Sequence, residues 1–450
     1  MRGPARLPQS GDRPRCCGRA IPHHGERHLR DRPLPRRRTH PPPGVRELLR
    51  SSTAARAKWV PVAGTALVLL VLVRLFVFGI YEVDSRSMAP TLRGGFEGSE
   101  SVLVRYGRGD IERFDLVVLR RPGVKAPRVK RVVGLPGESV ELVLGDLVID
   151  GERLPLSAPR PPLVEVFSDV RDEVGEWFQM GGTEVNPWQE REEGWHLAAE
   201  DVPSGAAAGT MFFAKRLTAG HISGDPEAGP GGVSAADCVL GCEVRLGEVP
   251  AELHFILREQ GDTFRAELDP GVGGECSARI LQRWRGGDEL VLAESALSLS
   301  KEGWTTIRFG NVDDQLFLEL TPKGSETERL VSGSVVNHLD PSDRMAAGET
   351  YGHRIGLGGA AGSADFQSIR VWRDFHYTDR GTHGKGEPVR LGPSELFVLG
   401  DNSPESRDGR DWGPITMGDV LGRPTHVVLP LSALRPLGED ALPLIPSDTP

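Results

Sequence analysis

Three short segments carry residue types that can do chemistry together. Asp84-Ser85-Arg86-Ser87-Met88-Ala89-Pro90-Thr91 offers two hydroxyls ahead of a proline. Val129-Lys130-Arg131-Val132-Val133-Gly134-Leu135-Pro136-Gly137-Glu138 offers a lysine beside an apolar pair. Gly400-Asp401-Asn402-Ser403-Pro404-Glu405-Ser406-Arg407-Asp408-Gly409-Arg410-Asp411-Trp412-Gly413 is a dense polar loop. A serine hydroxyl is a weak nucleophile at neutral pH and needs a base beside it. Lysine serves as that base when it is neutral, and burial on an apolar strand favours the amine by disfavouring the ammonium. Lys130 precedes Val132-Val133 on a strand expected to be buried, and Ser87 sits in a loop ended by Pro90, which restricts the residue before it. Taken singly, a loop serine and a lysine next to an arginine are ordinary solvated groups. Their joint occurrence is what points to a hydroxyl nucleophile with an amine base.

The elements that must position these residues read as short strands. Ser101–Tyr106 alternates in part, and Asp115–Leu119 is an apolar run ended by Arg121-Pro122-Gly123. Arg128–Leu135 is stopped by Pro136-Gly137, Ser139–Leu144 and Asp146–Ile149 flank Gly145, and Asp150-Gly151 is a tight-turn signal. The proline-rich stretch Leu156–Pro162 reads as a linker. Strand-like segments then recur from Glu165 to Tyr377, among them Cys242–Leu246, Leu253–Arg258, Thr305–Gly310, Gln315–Leu320 and Ile369–Trp372. With few helical patterns between them, they suggest an all-β sandwich. Past the glycine-rich turn Asp379–Gly386 come another run, Glu395–Leu399, the polar loop, and a last apolar run, Val420–Leu431. No period of 20–50 residues repeats, which argues against a solenoid.

Ahead of the first chemical segment, Trp59–Tyr81 is apolar except for Thr65 and Arg74. As a helix its 23 residues would reach about 34 Å, enough to cross a bilayer core with some tilt. Trp59 and Tyr81 bracket the stretch as interface anchors, and Arg74 is placed to snorkel. The run is too long for a cleaved signal peptide and no A-x-A site follows it. Its basic flank is N-terminal: residues 1–58 hold 15 Lys/Arg against 4 acids, although the whole chain carries −9. A basic start before an acidic body is a topology signal, not a nucleic-acid footprint. The proline- and arginine-rich tail cannot bury a core and is expected to be disordered, and His23, His24, His28 and His40 in it are solvated rather than ligands. Beyond the tail, 38% hydrophobic against 26% charged residues is material for real cores, and 450 residues make more than one folded unit the expectation.

Five cysteines fall in two groups, Cys16 and Cys17 in the tail and Cys238, Cys242 and Cys276 downstream. Cys238-x-x-x-Cys242 lacks a second ligand pair at zinc-finger spacing, so a strand-tying disulfide or buried thiols is the better expectation.

Ser-Met-Ala-Pro-Thr, Lys-Arg-Val-Val-Gly-Leu-Pro-Gly-Glu and Gly-Asp-Asn-Ser-x-x-Ser-x-Asp-x-Arg-x-Trp-Gly resemble the signature boxes of type I signal peptidases, and Arg113-Phe114-Asp115-Leu116-Val117-Val118 resembles a fourth. Their order, and an apolar span just before the serine box, are also the family's. The resemblance covers about residues 60–155 and 388–435. It implies Ser87 as nucleophile and Lys130 as general base, with the Ser87 N–H and the Ser85 hydroxyl forming the oxyanion hole. It implies that Ser406 hydrogen-bonds and orients the lysine, that Asp408 and Arg410 form a structural ion pair, and that Gly400-Asp401-Asn402 packs close to the catalytic strand. Gly409 stands where the family usually has serine, and Leu119 where phenylalanine is more usual. No metal or organic cofactor is implied.

The long insert between the boxes resembles a concanavalin/laminin-G-like sandwich in Trp304–Leu320 and in Gly356 through Asp374. Asp313-Asp314 reads as a polar hairpin turn in preference to a calcium site, and Trp195, Trp284, Trp304 and Trp372 as core packing in preference to sugar-stacking platforms.

The expected chain is mainly β: a basic cytoplasmic tail (1–58), a transmembrane helix (59–81), a signal-peptidase-type fold of antiparallel sheets in two parts (82–160 and 386–436), an inserted β-sandwich (161–385) and a C-terminal tail (437–450). The expected function is a single-pass serine endopeptidase of the inner membrane, N-terminus cytoplasmic and catalytic domain outside, that removes signal peptides from exported preproteins with A-x-A-like sites. Its expected partners are those preproteins and the lipid bilayer, with a glycan or protein as ligand for the insert and no nucleic acid. The alternative is a membrane-displayed carbohydrate- or protein-binding sandwich on a peptidase scaffold.

Overall fold

The computed structural model describes residues 62, 64–69, 71, 74 and most of 77–443, leaving out 96–98, 122–125, 173–174, 176–177, 181–185, 193, 204–208, 215–216, 218–236, 260, 272–274, 285–286, 333–334, 336–353 and 438–441. The described chain is mainly β, and every ladder between its named strands is antiparallel.

One sheet runs in the order Phe78–Glu82, Ser101–Tyr106, Val420–Leu429, Leu116–Leu119, Arg128–Gly134, Glu395–Leu399, Ile415–Thr416. Strands from the far end of the sequence thus lie inside a sheet begun more than 300 residues earlier. Leu116–Leu119 is buried along its whole length, as is Val129–Gly134, which is what central strands covered on both faces require. Ser101–Tyr106 alternates, with Val102 and Val104 inward. A smaller sheet, Val389–Arg390 with Ser139–Val143, Asp146–Ile149 and Glu152–Arg153, packs on the first through Val133, Val140, Leu147, Phe397 and Leu399. Its two hairpins turn at Leu144-Gly145 and Asp150-Gly151, all four residues at positive φ, the geometry a two-residue hairpin demands.

Residues 164–373 supply two larger sheets. The first holds Phe178–Met180, Met211–Phe213, Arg354–Ala360, Glu252–Glu259, Asp262–Pro270, Glu275–Trp284 and Glu289–Ser298. The second holds Trp188–Arg191, Gly194–Ala198, Ser363–Arg373, Cys238–Leu246, Thr305–Val312, Gln315–Pro322 and Glu328–Val331, with Val164–Ser168 against Ser363–Arg373. Both contribute to one apolar core that includes Phe255, Phe264, Ile280, Phe309, Leu318, Phe366 and Val371. That shared core makes the pair a sandwich.

Several expectations are corrected. Phe78–Glu82 is a strand paired with Ser101–Tyr106, so the expected 59–81 helix cannot run to Tyr81. Residues 62, 64–69, 71 and 74 are helical, and among the described residues no helix is long and apolar enough to cross a membrane. The tail 1–58 lies outside the described residues. The stretch read as a linker is docked: Leu156 and Arg160 are buried, and Pro159–Arg160 pairs with Leu442–Pro443. That pairing, and Leu437 buried in the core of the first sheet, keep the chain engaged past the expected start of its tail. The last sandwich strand ends at Arg373, and Phe375 and Tyr377 pack on the core of the smaller sheet, so the return towards the catalytic sheet begins before residue 385.

Asp313-Asp314 is a hairpin turn with both residues at positive φ. Its carboxylates are taken by arginines from the catalytic side, Arg160 to Asp313 at 2.8 Å and Arg153 to Asp314 at 3.0 Å. Arg160 also reaches the carbonyls of Leu154 and Pro155 and lies 3.7 Å from Asp374. Removing this buried cation strands carboxylates without charge compensation. Arg160→Ala is expected to lower stability by about 3–5 kcal/mol in a urea melt; a loss within the ordinary surface range of about 0.5 kcal/mol would show that the junction carries little weight.

Candidate active site

Ser87 lies in the short 3₁₀ turn Arg86–Met88, and Lys130 is the third residue of the strand Arg128–Gly134. Both are buried, and Ser87 Oγ and Lys130 Nζ lie 2.5 Å apart. Burial holds the Lys130 amine down at about 8, against an opposing pull from the Asp408 carboxylate. Among the described residues no carboxylate pairs directly with this amine, so the cost of desolvating the ammonium is not repaid and the neutral form is favoured. Ser85 Oγ donates to Ser87 Oγ at 3.1 Å, so the second expected hydroxyl stands at the same point. A cavity of about 350 Å³ is lined by the pair, by Ser85, by apolar Val83, Met88, Ala126, Pro127 and Val129, and by charged Glu82, Asp84, Arg128, Glu405 and Arg407.

The polar loop holds the serine turn by its backbone. Asn402 N–H donates to the Ser87 carbonyl at 3.1 Å, and Asn402 Nδ2 donates to the Arg86 carbonyl at 3.1 Å. Gly400 makes this approach feasible: a Cβ there would lie 2.5 Å from the Ser87 carbonyl oxygen and 2.1 Å from Ser406 Oγ. Asp408 and Arg410 form a fully buried pair, Nη2 to Oδ2 at 2.8 Å and Nε to Oδ1 at 2.9 Å. Asp408 also accepts from Gly400 N–H at 3.0 Å and caps the helix Gly409–Trp412. Although burial raises it, hydrogen bonds and the charge of Arg410 bring its carboxyl below the usual carboxylate range.

Ser406 differs from expectation. Its hydroxyl is fully buried and, among the described residues, makes no hydrogen bond of good geometry, to Lys130 or to any other group, and it is packed so close to Gly400 that a Cβ there would lie 2.1 Å from it. A second buried ion pair, Arg131 to Asp401 at 2.6 Å, was not singled out from sequence. Asp401 further accepts from Thr91 Oγ1 at 2.5 Å, joining all three chemical segments. The available signal was an arginine next to the lysine and an acid in the polar loop. The turn ahead of the strand Leu116–Leu119 is tied in as well, since Phe114 N–H donates to the Val132 carbonyl at 2.7 Å and Arg113 makes a two-pronged pair with Glu138.

The arrangement can deliver a neutral amine to a serine hydroxyl in a cleft of mixed lining, which is nucleophilic hydrolysis of a carbonyl substrate. The signal peptidase profile, peptidase S26, matches residues 56–206 and 364–429. Signal peptidase I of Bacillus amyloliquefaciens is 32% identical over 165 residues, which is 34% of this chain and 84% of that protein. The chain belongs to the signal peptidase I family. Signal peptidase I T of Bacillus subtilis (strain 168) is 30% identical over 173 residues, 36% of this chain and 89% of that one. Signal peptidase I P of Bacillus subtilis subsp. natto is 39% identical over 95 residues, and there the chain spans about half of the relative, 51% of its length. These relatives place the chain among serine endopeptidases of the Ser/Lys type.

Solved structures resemble the chain at low scores. A xylan beta-1,4-xylosidase from Bacillus halodurans C-125 has a TM-score of 0.31 and 12% identity over 62% of this chain and 52% of that one. The carbohydrate binding module CBM66 from Bacillus subtilis has 0.26 and 11% over 43% and 94%. Scores this low assign no ligand to the sandwich of this signal peptidase family member. Its tryptophans are covered in part by other groups: Arg245 lies over Trp304 and Arg308 over Trp372, and Trp195 packs against the core. Cys238, Cys242 and Cys276 are buried free thiols whose pKa values burial pushes up, that of Cys276 to about 12.

One acidic group has metal-like spacing. Carboxylate oxygens of Asp146, Asp237 and Asp313 lie within 4.8 Å of one another. Arg153 and Arg160 already neutralise Asp146 and Asp313, while burial and the mutual repulsion of the carboxylates raise Asp237 well above the usual range and Asp313 to about 8. Arginines thus already compensate two of these carboxylates, burial disfavours charge on the third, and no metal is assigned to the cluster.

Gly409 has a steric reason for departing from the family's serine. A Cβ there would lie 2.8 Å from the Val398 carbonyl and 3.0 Å from the Phe397 ring. Gly409→Ser is expected to destabilise the protein by about 1–3 kcal/mol through overpacking, read as a lowered midpoint in a urea melt. An unchanged midpoint would mean that the loop has room for the family's residue.

Proposed function

We propose that this chain is a membrane-anchored signal peptidase I, a serine endopeptidase that removes signal peptides from exported preproteins. The observation that carries the reading is the 2.5 Å approach of Ser87 Oγ to a buried Lys130 amine held at about 8. The neutral amine takes the Ser87 proton as Oγ attacks the scissile carbonyl carbon. The ammonium then gives that proton to the leaving amine as the C–N bond breaks, leaving an acyl-serine. Water, deprotonated by the same amine, attacks the acyl carbon and frees Ser87. The Ser87 N–H and the Ser85 hydroxyl receive the developing oxyanion, a contribution of about 3 kcal/mol for one donor. Asp408 and Arg410 brace the loop behind the lysine, with Ser406 packed among them.

The substrate class that the family resemblance implies for this cleft is a preprotein with an A-x-A-like site, read here over Val83, Met88 and Val129 beside the dyad. We assign the catalytic domain to residues 82–160 and to the chain from Asp374 through Leu437, and the sandwich to the strands within 164–373. The apolar stretch in 59–77, with its basic N-terminal flank, supports an anchor whose N-terminus stays cytoplasmic and which holds the active site on the outer face of the inner membrane. A binding module on an inert scaffold would not need the dyad, and both of its residues are present and in contact.

Detergent-solubilised full-length protein is expected to cut a model preprotein after an A-x-A motif. Ser87→Ala and Lys130→Ala are expected to be silent, a loss of at least about 10³-fold. Because the base works as the free amine, activity should rise with pH through about 8 and then level off. Equal cutting by either variant, or a flat profile from pH 6 to 10, would remove the Ser/Lys mechanism.

A further inference from the structure

Where the chain returns from the sandwich to the catalytic sheet it passes directly over both buried ion pairs beside the dyad. The last sandwich strand ends at Arg373. Asp374 N–H donates to the Asp237 carbonyl at 3.1 Å, and its carboxylate lies 3.7 Å from Arg160, so this point is pinned at the junction. The Phe375 ring then faces the Arg131 guanidinium at 5.6 Å, and Arg131 holds Asp401. Tyr377 N–H donates to the Gly145 carbonyl at 2.9 Å. Thr378, buried at 4% exposure, reaches the second pair.

The contacts of Thr378 are all to the catalytic loop. Its N–H donates to Ser403 Oγ at 2.8 Å, and the two hydroxyls lie 3.1 Å apart. Arg410 Nη1 donates to the Thr378 carbonyl at 2.9 Å and to its hydroxyl at 3.0 Å. The same guanidinium donates to Ser403 Oγ, to the Ser403 carbonyl at 2.8 Å and to both oxygens of Asp408. Guanidinium donors have a fixed fork, so the acceptors on one side set the direction of those on the other. Asp408 in turn is the strongest charge acting on Lys130. Without the Thr378 hydroxyl, the Nη1 corner of Arg410 loses one of its three acceptors, keeping the backbone carbonyl of residue 378 and Ser403 Oγ, and the orientation of Asp408 loosens with it.

We propose that Thr378 is a positioning residue for Lys130, acting through Arg410 and Asp408, and that the sandwich is thereby coupled to the catalytic base by the segment Asp374–Thr378. The proposal rests on the Ser/Lys reading above. It assigns the insert a mechanical connection to the chemistry that holds whatever ligand the sandwich takes.

The test is the pH dependence of kcat for full-length protein cutting a model preprotein, comparing wild type with Thr378→Val and Thr378→Ser. Thr378→Val removes the hydroxyl at nearly constant volume. It is expected to lower kcat by about 10-fold with little change in KM, and to move the rising limb to lower pH, because Asp408 is the charge that holds the lysine pKa up. Thr378→Ser keeps the hydroxyl and is expected to restore the limb. Should Thr378→Val not yield folded protein, Ser403→Ala removes the acceptor of the Thr378 N–H and is expected to shift the limb in the same direction. A lowered kcat with an unmoved limb in both Thr378→Val and Ser403→Ala, or no change in either, overturns the proposal. Wild type without any rising limb would instead sink the Ser/Lys reading itself, so the two failures are distinguishable.

Discussion

An amine buried without a carboxylate in contact is the constraint on which the rest of this structure depends. Lys130 sits inside a sheet, and the two carboxylates that act on it most are engaged elsewhere: Asp408 with Arg410, Asp401 with Arg131. An uncompensated ammonium in such a place is unfavourable, so the fold must supply enough other stability to keep a strand there with the amine enclosed. It does so with continuous apolar packing, Val117, Leu119, Val132, Val398 and Ile415 on one side and Val133, Phe397 and Leu399 on another. The buried ion pairs have a different part. They are costly to form and costly to break from one side, which makes them good at fixing geometry and poor at adding stability. Here they fix a loop whose backbone in turn fixes the serine turn through Asn402.

The two parts of the catalytic sequence are one object in space. Glu395–Leu399 pairs with the lysine strand, and Val420–Leu429 lies between strands that come before residue 120. A sandwich of more than 200 residues can be inserted between them because the chain leaves and re-enters on the same side, through Arg160 and Asp374, which meet across 3.7 Å. Loop-closure entropy grows only slowly with the length enclosed, so a long insertion at fixed end points is tolerated. The docking of Arg160 and Arg153 onto the Asp313-Asp314 turn adds a specific seam between the inserted and the catalytic parts.

Much of the site was legible in the sequence because its chemistry depends on side chains at short spacing. Ser87, Lys130 and the polar loop were found by residue type, and the central strands by their apolar runs. Two-residue turns were legible for the same reason: Asp150-Gly151 and Asp313-Asp314 carry residues that tolerate positive φ. What was not legible depends on long-range contacts. The Arg131–Asp401 pair joins residues 270 apart, and Thr378 carries no local signal because its partners, Ser403 and Arg410, lie on another loop. The apolar stretch ending at Tyr81 was misjudged at its C-terminal end because Phe78–Tyr81 is as suitable for a strand as for a helix. The neighbour Ser101–Tyr106 decides it by offering a ladder. The proline-rich stretch at 156–162 had the composition of a linker, and a single arginine in it, Arg160, turned it into a docked connector.

The interleaved order of the catalytic sheet also governs when the protein becomes an enzyme. A chain emerging from the ribosome N-terminus first presents Ser87 and Lys130 long before the strands that enclose them. Between the two, the sandwich, with its own core and largely sequential hairpins, is complete in sequence and able to fold as a unit. Until Glu395–Leu399 is made, the lysine strand has an open edge and lacks part of the apolar packing beside it. The surroundings that disfavour the Lys130 ammonium are therefore completed only by strands that follow the sandwich in the sequence. The topology thus makes the enclosure of Lys130 depend on strands from the far end of the sequence.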